Sequence, residues 1–427
     1  MSFKEYKTLD LIKVSDHISS FWKVDKTFEK SISSRDKKEF IFYEGPPSAN
    51  GMPGIHHVMA RAIKDIFCRY KTLKGFKVNR KAGWDTHGLP IELGVEKELN
   101  ISKEDIGSKI SIKDYNEACK KAVMKYTDVW NNLTERIGYW VDMENPYITY
   151  KSKYIESVWW LLKNLYDKKL IYKGYSVQPY SPKAGTGLSS HELNQPGTYQ
   201  DITDTTVTAQ FECVDESIPN FLKKYSKIYI LAWTTTPWTL PSNTALTVGE
   251  KIEYCLIKTY NLYTHQPINV VLAKELITKV FKTNFKEVSN QDELIFNNDK
   301  EIPYIVVETF LGKDIVGMKY HQIWDDSPLP NDSPENAFRL ISGDFVTTED
   351  GTGIVHTAPT FGADDAIAAK NAKPEVPPML IKNKNGDLVP LVDLQGKFVK
   401  ELGFLGGKFV KNEYYEKGKA PERSVDV

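Results

Sequence analysis

The chain has 427 residues, enough for two or three domains with sizeable cores, and its 56 basic residues balance 56 acidic ones, so no polyanion partner is announced outside local patches. No apolar run approaches the roughly 20 residues of a membrane span, and the alternating "MSFKEYKTLDLIK" is no signal peptide. Cys68, Cys119, Cys213 and Cys255 are scattered without a Cys-x-x-Cys pair, which excludes a zinc ribbon and a disulfide framework and leaves a soluble, cytoplasmic, mixed α/β protein as the expectation.

In chain order, "EFIFYEG" predicts a buried strand at Glu39–Tyr43. A helix follows, with Met59, Ile63, Ile66, Tyr70 and Leu73 at three- and four-residue steps and Gly75 as its stop. "FKVNRKAGWDTHGLPIE" predicts a second strand running into a loop at Gly83. One long helix is expected between Asp114 and Gly138. Another is expected from about Ser152 to Lys169, with Val158, Leu161, Leu162 and Leu165 on one face. This alternation predicts a parallel sheet with right-handed crossovers. Near Gly174 the texture changes, and "GYSVQPYSPKAGTGLSSHELNQPG" reads as a hinge. Strand-like segments then dominate, among them "KIYILAWTT", "INVVLA", "YIVVETF" and "GTGIVHTA", a mostly β domain of antiparallel or barrel character. The tail from Lys397 shows no compact pattern.

Four stretches carry chemistry. In "EGPPSANGMPGIHHVMARAIKD", from Glu44 to Asp65, a Gly/Pro loop leads a strand into a helix. Free N–H groups and a positive helix end at such a place suit phosphate, and His56 and His57 can add donors. A structural turn with incidental histidines fits the local pattern equally well. In "AGWDTHGLPIE", Asp85 lies where a carboxylate suits an ammonium group, although alone it reads better as the cap of the next turn. "LAWTTTPWTLPSN" gathers Thr234, Thr235, Thr236 and Thr239, hydroxyls that orient water and bind sugar hydroxyls, or simply end a Thr-rich strand. "DGTGIVHTAPTFGADD" adds His356, Asp364 and Asp365. No nucleophile elbow is present, so no Ser-His-Asp triad is suggested.

Together and in this order, these stretches resemble the class I isoleucyl-tRNA synthetases. "GPPSANGMPGIHH" occupies the place of that family's His-Ile-Gly-His signature, and "GWDTHGLPIE" is similar to its amino-acid-binding segment. "TTTPWTLPSN" and "GTGIVHTAP" with the following Asp pair resemble the two halves of its editing site. Valyl and leucyl relatives usually have arginine where this chain has Thr236, which favours isoleucine.

The resemblance implies an α/β fold: the first half of a Rossmann-like parallel sheet nucleotide-binding domain with an inserted, mostly β, barrel-like editing domain. The implied boundaries are 1–173 for the catalytic part, 174–200 for the hinge, 201–395 for editing and 396–427 for a return segment. It implies activation of L-isoleucine by ATP with Mg2+, transfer to tRNA(Ile), and hydrolysis of misattached valine by a monomer. Gly54, His56 and His57 would bind ATP, with the two histidines catalytic. Gly45, Pro46, Trp84 and Asp85 would bind isoleucine. Thr234, Thr235, Thr236, Asn243, His356 and Asp365 would form the editing site.

The chain departs from the family pattern in three ways. Gly54 stands where the first signature histidine is usual and His56 where glycine is usual, an exchange that also resembles isoleucyl enzymes conferring mupirocin resistance. Gln178, Ser181 and Ala184 fill the place of a cysteine zinc knuckle, so no zinc is expected there. The family's Lys-Met-Ser-Lys-Ser loop is not in the chain, so half an activation site is expected beside a nearly complete editing site. A free-standing aminoacyl-tRNA hydrolase and a valyl or leucyl relative are the alternatives.

Overall fold

The computed structural model describes residues 8–35, 38–42, 44–174, 176–282, 284–298, 300–324, 327–416 and 418–420. The chain divides after Gly174 into two units, each with its own core.

The first unit opens with α1 (Leu11–Asp25), whose first turn is capped by the Asp10 carboxylate, and α2 (Thr27–Ser33). The strand expected at Glu39–Tyr43 is reduced to one parallel bridge, Glu39 to Lys77; Tyr43 lies outside the described residues. Ile41 is 70% exposed, so this apolar run lacks the covering layers that a central strand needs. The helix α3 (Ile55–Leu73) ends as its sequence predicts. Gly75 takes a positive φ of 88°, and the N–H groups of Gly75 and Phe76 return to the carbonyls of Thr72 and Lys71.

The strand β1 (Lys81–Trp84) pairs in parallel with β2 (Asp142–Ile148). Gly83 makes that approach possible, because a Cβ there would lie 2.3 Å from the Tyr147 ring. Between them run α4 (Leu89–Leu99), α5 (Ile112–Val123) and α6 (Thr127–Arg136). The single helix expected from Asp114 to Gly138 is therefore two. The Tyr126 N–H leaves the helical pattern and donates to the Ala49 carbonyl at 3.1 Å, and one turn later Trp130 Nε1 donates to the Gly51 carbonyl at 2.9 Å. Ala49, Trp84 and Trp130 form a small core at this point. The helix α7 (Ser152–Asp167) buries no residue, and Met59, Ile63 and Ile66 of α3 are more than half exposed. Among the described residues of this unit, nothing covers those apolar stripes.

In the second unit, residues 176–193 carry a short hairpin, β3 (Tyr180–Ser181) with β4 (Thr186–Gly187), and one helical turn, α8 (Ser190–Leu193). The segment read as a hinge is thus folded. A nine-stranded mixed sheet follows. Its strands are β5 (Val207–Glu212), β6 (Ile228–Thr234), β7 (Ala245–Val248), β8 (Glu253–Tyr260), β9 (Pro267–Ala273), β10 (Phe285–Glu287), β11 (Ile302–Leu311), β12 (Arg339–Ser342) and β13 (Ile354–Thr357), with the helical turn α9 (Ile277–Val280) after β9.

Six segments close on themselves. β5 pairs with β6, β6 with β13, β13 with β7 and β7 with β12. Antiparallel bridges from Lys319 to Arg339 and from Tyr320 to Cys213 then join β12 back to β5. The barrel expected from the strand spacing is closed, and closure removes the free edges of a sheet. The remaining strands extend from the first half of β6 through β9, β8 and β11 to β10.

Side-chain alternation explains why β6, β8 and β9 read as unbroken apolar runs. Ile230, Leu256 and Val271 face the barrel core with Phe211, Leu246 and Leu340, while Leu231, Ile257 and Val270 face a second core with Phe281 and Tyr304. After β13 come α10 (Ala363–Asn371) and the hairpin β14 (Leu380–Lys382) with β15 (Leu388–Pro390). The tail is not patternless: Phe398, Leu402 and Leu405 pack on Met379, Ile381 and Leu391, with Trp238 and Phe338 against them.

Gly312 marks the tightest approach, since a Cβ there would lie 2.2 Å from the Gly249 carbonyl oxygen and 2.9 Å from the Tyr254 ring. Replacing it forces backbone apart, whereas Gly94, inside α4, has open space at its Cβ position. Gly312→Ala should lower the stability of the second unit by about 2 kcal/mol or more. Gly94→Ala should leave the first unit unchanged or raise it by about 0.5–1 kcal/mol. Urea unfolding of the two variants checks both signs.

Candidate functional sites: a loop–helix junction and a threonine-lined cavity

The first site is built from the loop Glu44–Gly54 and the start of α3. Its carbonyls are turned into the protein. Glu44 O accepts from the Tyr147 hydroxyl at 2.7 Å, Pro47 O from Asp85 N at 3.0 Å, Ala49 O from Tyr126 N and Gly51 O from Trp130 Nε1. The N–H groups of Gly45, Ser48, Asn50 and Gly51 find no acceptor among the described residues. The loop therefore offers donors outward, beside the first turn of a long helix.

Glu44 anchors the entry. Its carboxylate meets Lys64 Nζ at 2.5 Å and accepts the Tyr139 hydroxyl, and burial together with that bond pushes the Tyr139 phenol far up. Arg61, 7% exposed, lies 4.7 Å over the Trp130 ring.

The two histidines differ. His57 is half-buried; its Nδ1 accepts from the Gly54 N–H at 2.9 Å, which leaves the proton on Nε2. Burial, then the neighbouring His56 and Arg61, hold its pKa below the ordinary 6.5, so the ring is a neutral donor. His56 is exposed and lies against His57, with ring centres 3.8 Å apart and planes tilted by 43°. A Cβ on Gly54 would meet the His56 ring at 2.9 Å, so the exchanged glycine gives that ring its room. Asp85 lies beside the loop through its backbone bond to Pro47, and its carboxylate accepts the His87 N–H at 3.3 Å. Trp84 is 6% exposed and packs with Ala49 and Trp130.

The second site is a cavity of about 810 Å³ in the second unit, lined among others by Thr234, Thr235, Thr236, Thr239, His356 and Asp365. β6 delivers the threonines at its end, where the Thr236 N–H donates to Thr234 Oγ1 at 3.0 Å and closes a tight turn. β13 delivers His356. Asp365 comes from the first turn of α10, and one of its oxygens accepts the Ala358 N–H at 2.8 Å. Burial, opposed by that bond and aided by Asp364, raises its pKa above the usual 3.8. No lysine or arginine among the described residues pairs with it.

His356 has both ring nitrogens engaged: Nδ1 lies 2.8 Å from Asn243 Nδ2, and Nε2 lies 3.0 Å from Thr239 Oγ1. Burial pushes its pKa down to about 4. A neutral ring with no free nitrogen cannot act as a base towards the cavity. Asn243 supports His356 from behind and is not part of the lining.

Sequence reasoning missed three contributors. Trp238 lines the cavity edge-on to Phe361, at 5.1 Å between centres. Tyr320, with no local motif to betray it, donates to Asn243 Oδ1 at 2.6 Å. The hinge and the tail supply an outer wall through Gln178, Tyr180, Gly396, Lys411 and Tyr414, a role that only a fold can reveal. Among the described residues no group of three or more His, Cys, Asp or Glu is placed to hold a metal ion, and no helix is long and apolar enough to cross a membrane.

The chain is 55% identical over 443 residues to an isoleucine--tRNA ligase of Bacteroides fragilis, which covers 100% of the chain and 38% of that relative. It is 56% identical over 416 residues to one of Cytophaga hutchinsonii, covering 97% of the chain and 36% of the relative. The chain thus spans little more than a third of the curated relatives' length. A solved editing domain of the P. knowlesi cytosolic leucyl-tRNA synthetase covers 40% of this chain and 63% of its own at 12% identity, with a TM-score of 0.28, too slight a likeness to carry weight. Residues 17–312 match the family of class I tRNA synthetases that handle I, L, M and V, and the chain belongs to that family.

Proposed function

We propose that the chain is part of an isoleucine–tRNA ligase that also removes misattached valine. Residues 1–173 contribute the first part of the Rossmann-like catalytic domain, 174–200 its connection, 201–395 the editing domain and 396–427 the return segment. The identity to proteins named isoleucine--tRNA ligase and Thr236 in place of the arginine of valyl and leucyl relatives support isoleucine as the amino acid.

In activation, the isoleucine carboxylate attacks the α-phosphorus of ATP, held as its Mg2+ complex, and pyrophosphate leaves. No protein nucleophile is needed. This chain's part is positioning and charge stabilisation. Asp85 would hold the substrate ammonium beside Gly45 and Pro46. The loop N–H groups and the Nε2–H of His57 would meet phosphate oxygens, with Gly54 and His56 shaping the nucleotide's entry. ATP and tRNA(Ile) would be met in solution by a monomer in the cytoplasm.

Editing is the step this chain equips most fully. Isoleucine and valine differ by one methylene, worth about 1–3 kcal/mol in a pocket, a limit for which isoleucyl enzymes are the standard illustration. A second, hydrolytic site overcomes it. The observation that carries this reading is the Asp365 carboxylate, half-buried in the cavity wall without a cation among the described residues. An ammonium group is its natural complement. With the ammonium held there, the Thr234, Thr235 and Thr236 hydroxyls flank the ester and orient a water. Water adds to the ester carbonyl, and the ribose hydroxyl leaves with a proton. A cavity of about 810 Å³ has room for a valyl ester and the terminal adenosine.

The 427-residue chain should deacylate Val-tRNA(Ile) in a single-turnover assay, and Asp365→Ala should lower kcat/KM about a hundredfold, as for a lost buried charge pair. Absence of hydrolysis by the folded wild-type chain would sink the reading. The pH profile adds a sign. Asp365 must be ionised to hold the ammonium, so activity should fall on acidification through a pKa above the usual 3.8. His356, held neutral, should add no limb near the ordinary 6.5 of an imidazole. A limb near that value that disappears in His356→Asn would contradict the assignment. For activation, isoleucine-dependent pyrophosphate exchange by this chain alone should be absent; robust exchange would refute the claim that the site needs further protein.

A further inference from the structure

We propose that Tyr320 is a positioning residue of the cavity: acting through Asn243, its hydroxyl fixes which nitrogen of His356 carries the proton, and thereby orients Thr239 and the Thr236 carbonyl behind the threonine cluster. The proposal rests on the reading of the cavity as a hydrolytic site.

Asn243 has two unlike ends, an oxygen that only accepts and a nitrogen that only donates. The nitrogen faces the Ala245 carbonyl at 2.8 Å and His356 Nδ1 at 2.8 Å; the oxygen faces the Tyr320 hydroxyl at 2.6 Å. Turning the amide over would set oxygen against the Ala245 carbonyl oxygen. Nδ1 of His356 therefore accepts and is bare, and the ring proton sits on Nε2, 3.0 Å from Thr239 Oγ1. Thr239 Oγ1 accepts the hydrogen bond from that N–H and donates its own hydroxyl hydrogen to the Thr236 carbonyl at 2.8 Å. The relay ends on the backbone of the turn that presents Thr234, Thr235 and Thr236.

Burial makes the root of this chain decisive. Tyr320 is 2% exposed, Asn243 5% and His356 6%, so water does not readily replace a missing member. Removing the phenolic O–H leaves the Asn243 oxygen without its donor. The amide keeps its Ala245 contact but loses the second of its two anchors, so the turned-over form gains population and the ring proton is shared between the two nitrogens. Tyr320 touches no substrate; its effect reaches the cavity only through this chain.

The test labels the 427-residue chain with 15N-histidine, assigns the His356 ring with His356→Asn, and reads the protonated nitrogen by NMR at neutral pH. Wild type should show the Nε2–H tautomer. Asn243→Asp, which replaces the donor facing Nδ1 with an acceptor, should move a proton onto Nδ1. Tyr320→Phe should give a mixed signature and lower Val-tRNA hydrolysis about tenfold, as for one lost hydrogen bond, with an unchanged far-UV spectrum. A wild-type ring carrying its proton on Nδ1, or a Tyr320→Phe ring still wholly Nε2–H, would overturn the proposal. A changed tautomer with unchanged hydrolysis would also overturn it. If Tyr320→Phe does not fold, the Asn243→Asp ring decides. If the wild type hydrolyses no Val-tRNA, the hydrolytic reading falls while the tautomer result still judges the relay.

Discussion

Five residues, 317–321, close the barrel. They are hydrogen-bonded on both sides: Lys319 O and His321 N meet the β5 end at 2.8 Å each, while Met318 O and Tyr320 N meet the β12 side at 2.8 and 3.0 Å. Without this segment β5 and β12 would both be open edges, and the core between them would be wet. Closure also sets side-chain direction. Tyr320 points inward onto Phe211, at 5.2 Å between centres, and from there reaches Asn243. The tertiary bond that completes the scaffold is thus the one that brings polarity into it. His356 on β13 and the threonines on β6 lie on neighbouring strands of the same ring, so their mutual geometry is set by strand pairing.

The loop at the start of α3 solves a different problem. Three prolines and three glycines give it no regular structure, yet its carbonyls are fixed by four donors from distant parts of the first unit. One of these, the Tyr126 N–H, comes from the interruption between α5 and α6, and another, Trp130 Nε1, from the first turn of α6. A helix gives up one internal bond at Tyr126 so that a loop can be held still, an exchange of local for long-range order. The consequence at the junction is polarity: acceptors face protein, donors face out, and the neutral ring of His57 continues the same pattern.

Periodicity made the regular parts legible. The stripe of α3, its glycine stop and the paired apolar faces of β6, β8 and β9 follow from spacing alone, because each residue's environment is dictated by neighbours three, four or two positions away. Contacts between distant segments were invisible. Nothing local in "KKAVMKYTDVW" says that Tyr126 will bond to Ala49, so one helix was expected where two exist. The strand expected at Glu39–Tyr43 shrank to a bridge because apolarity alone does not supply covering layers. The tail read as patternless because its turns are short and irregular, although its apolar residues still find a common core. At the cavity, the Thr, His and Asp side chains were visible as chemistry, while Tyr320 looked like one tyrosine among 23.

The cavity's walls come from residues as far apart as Gln178 and Tyr414, with Thr234, His356 and Asp365 between them. Contacts of that sequence separation close large loops late and slowly. A chain made from its N-terminus displays the threonine turn long before the segment that walls it exists. During synthesis the turn that carries Thr234, Thr235 and Thr236 is therefore present before its outer wall, and the cavity exists only once Lys411 and Tyr414 have joined it.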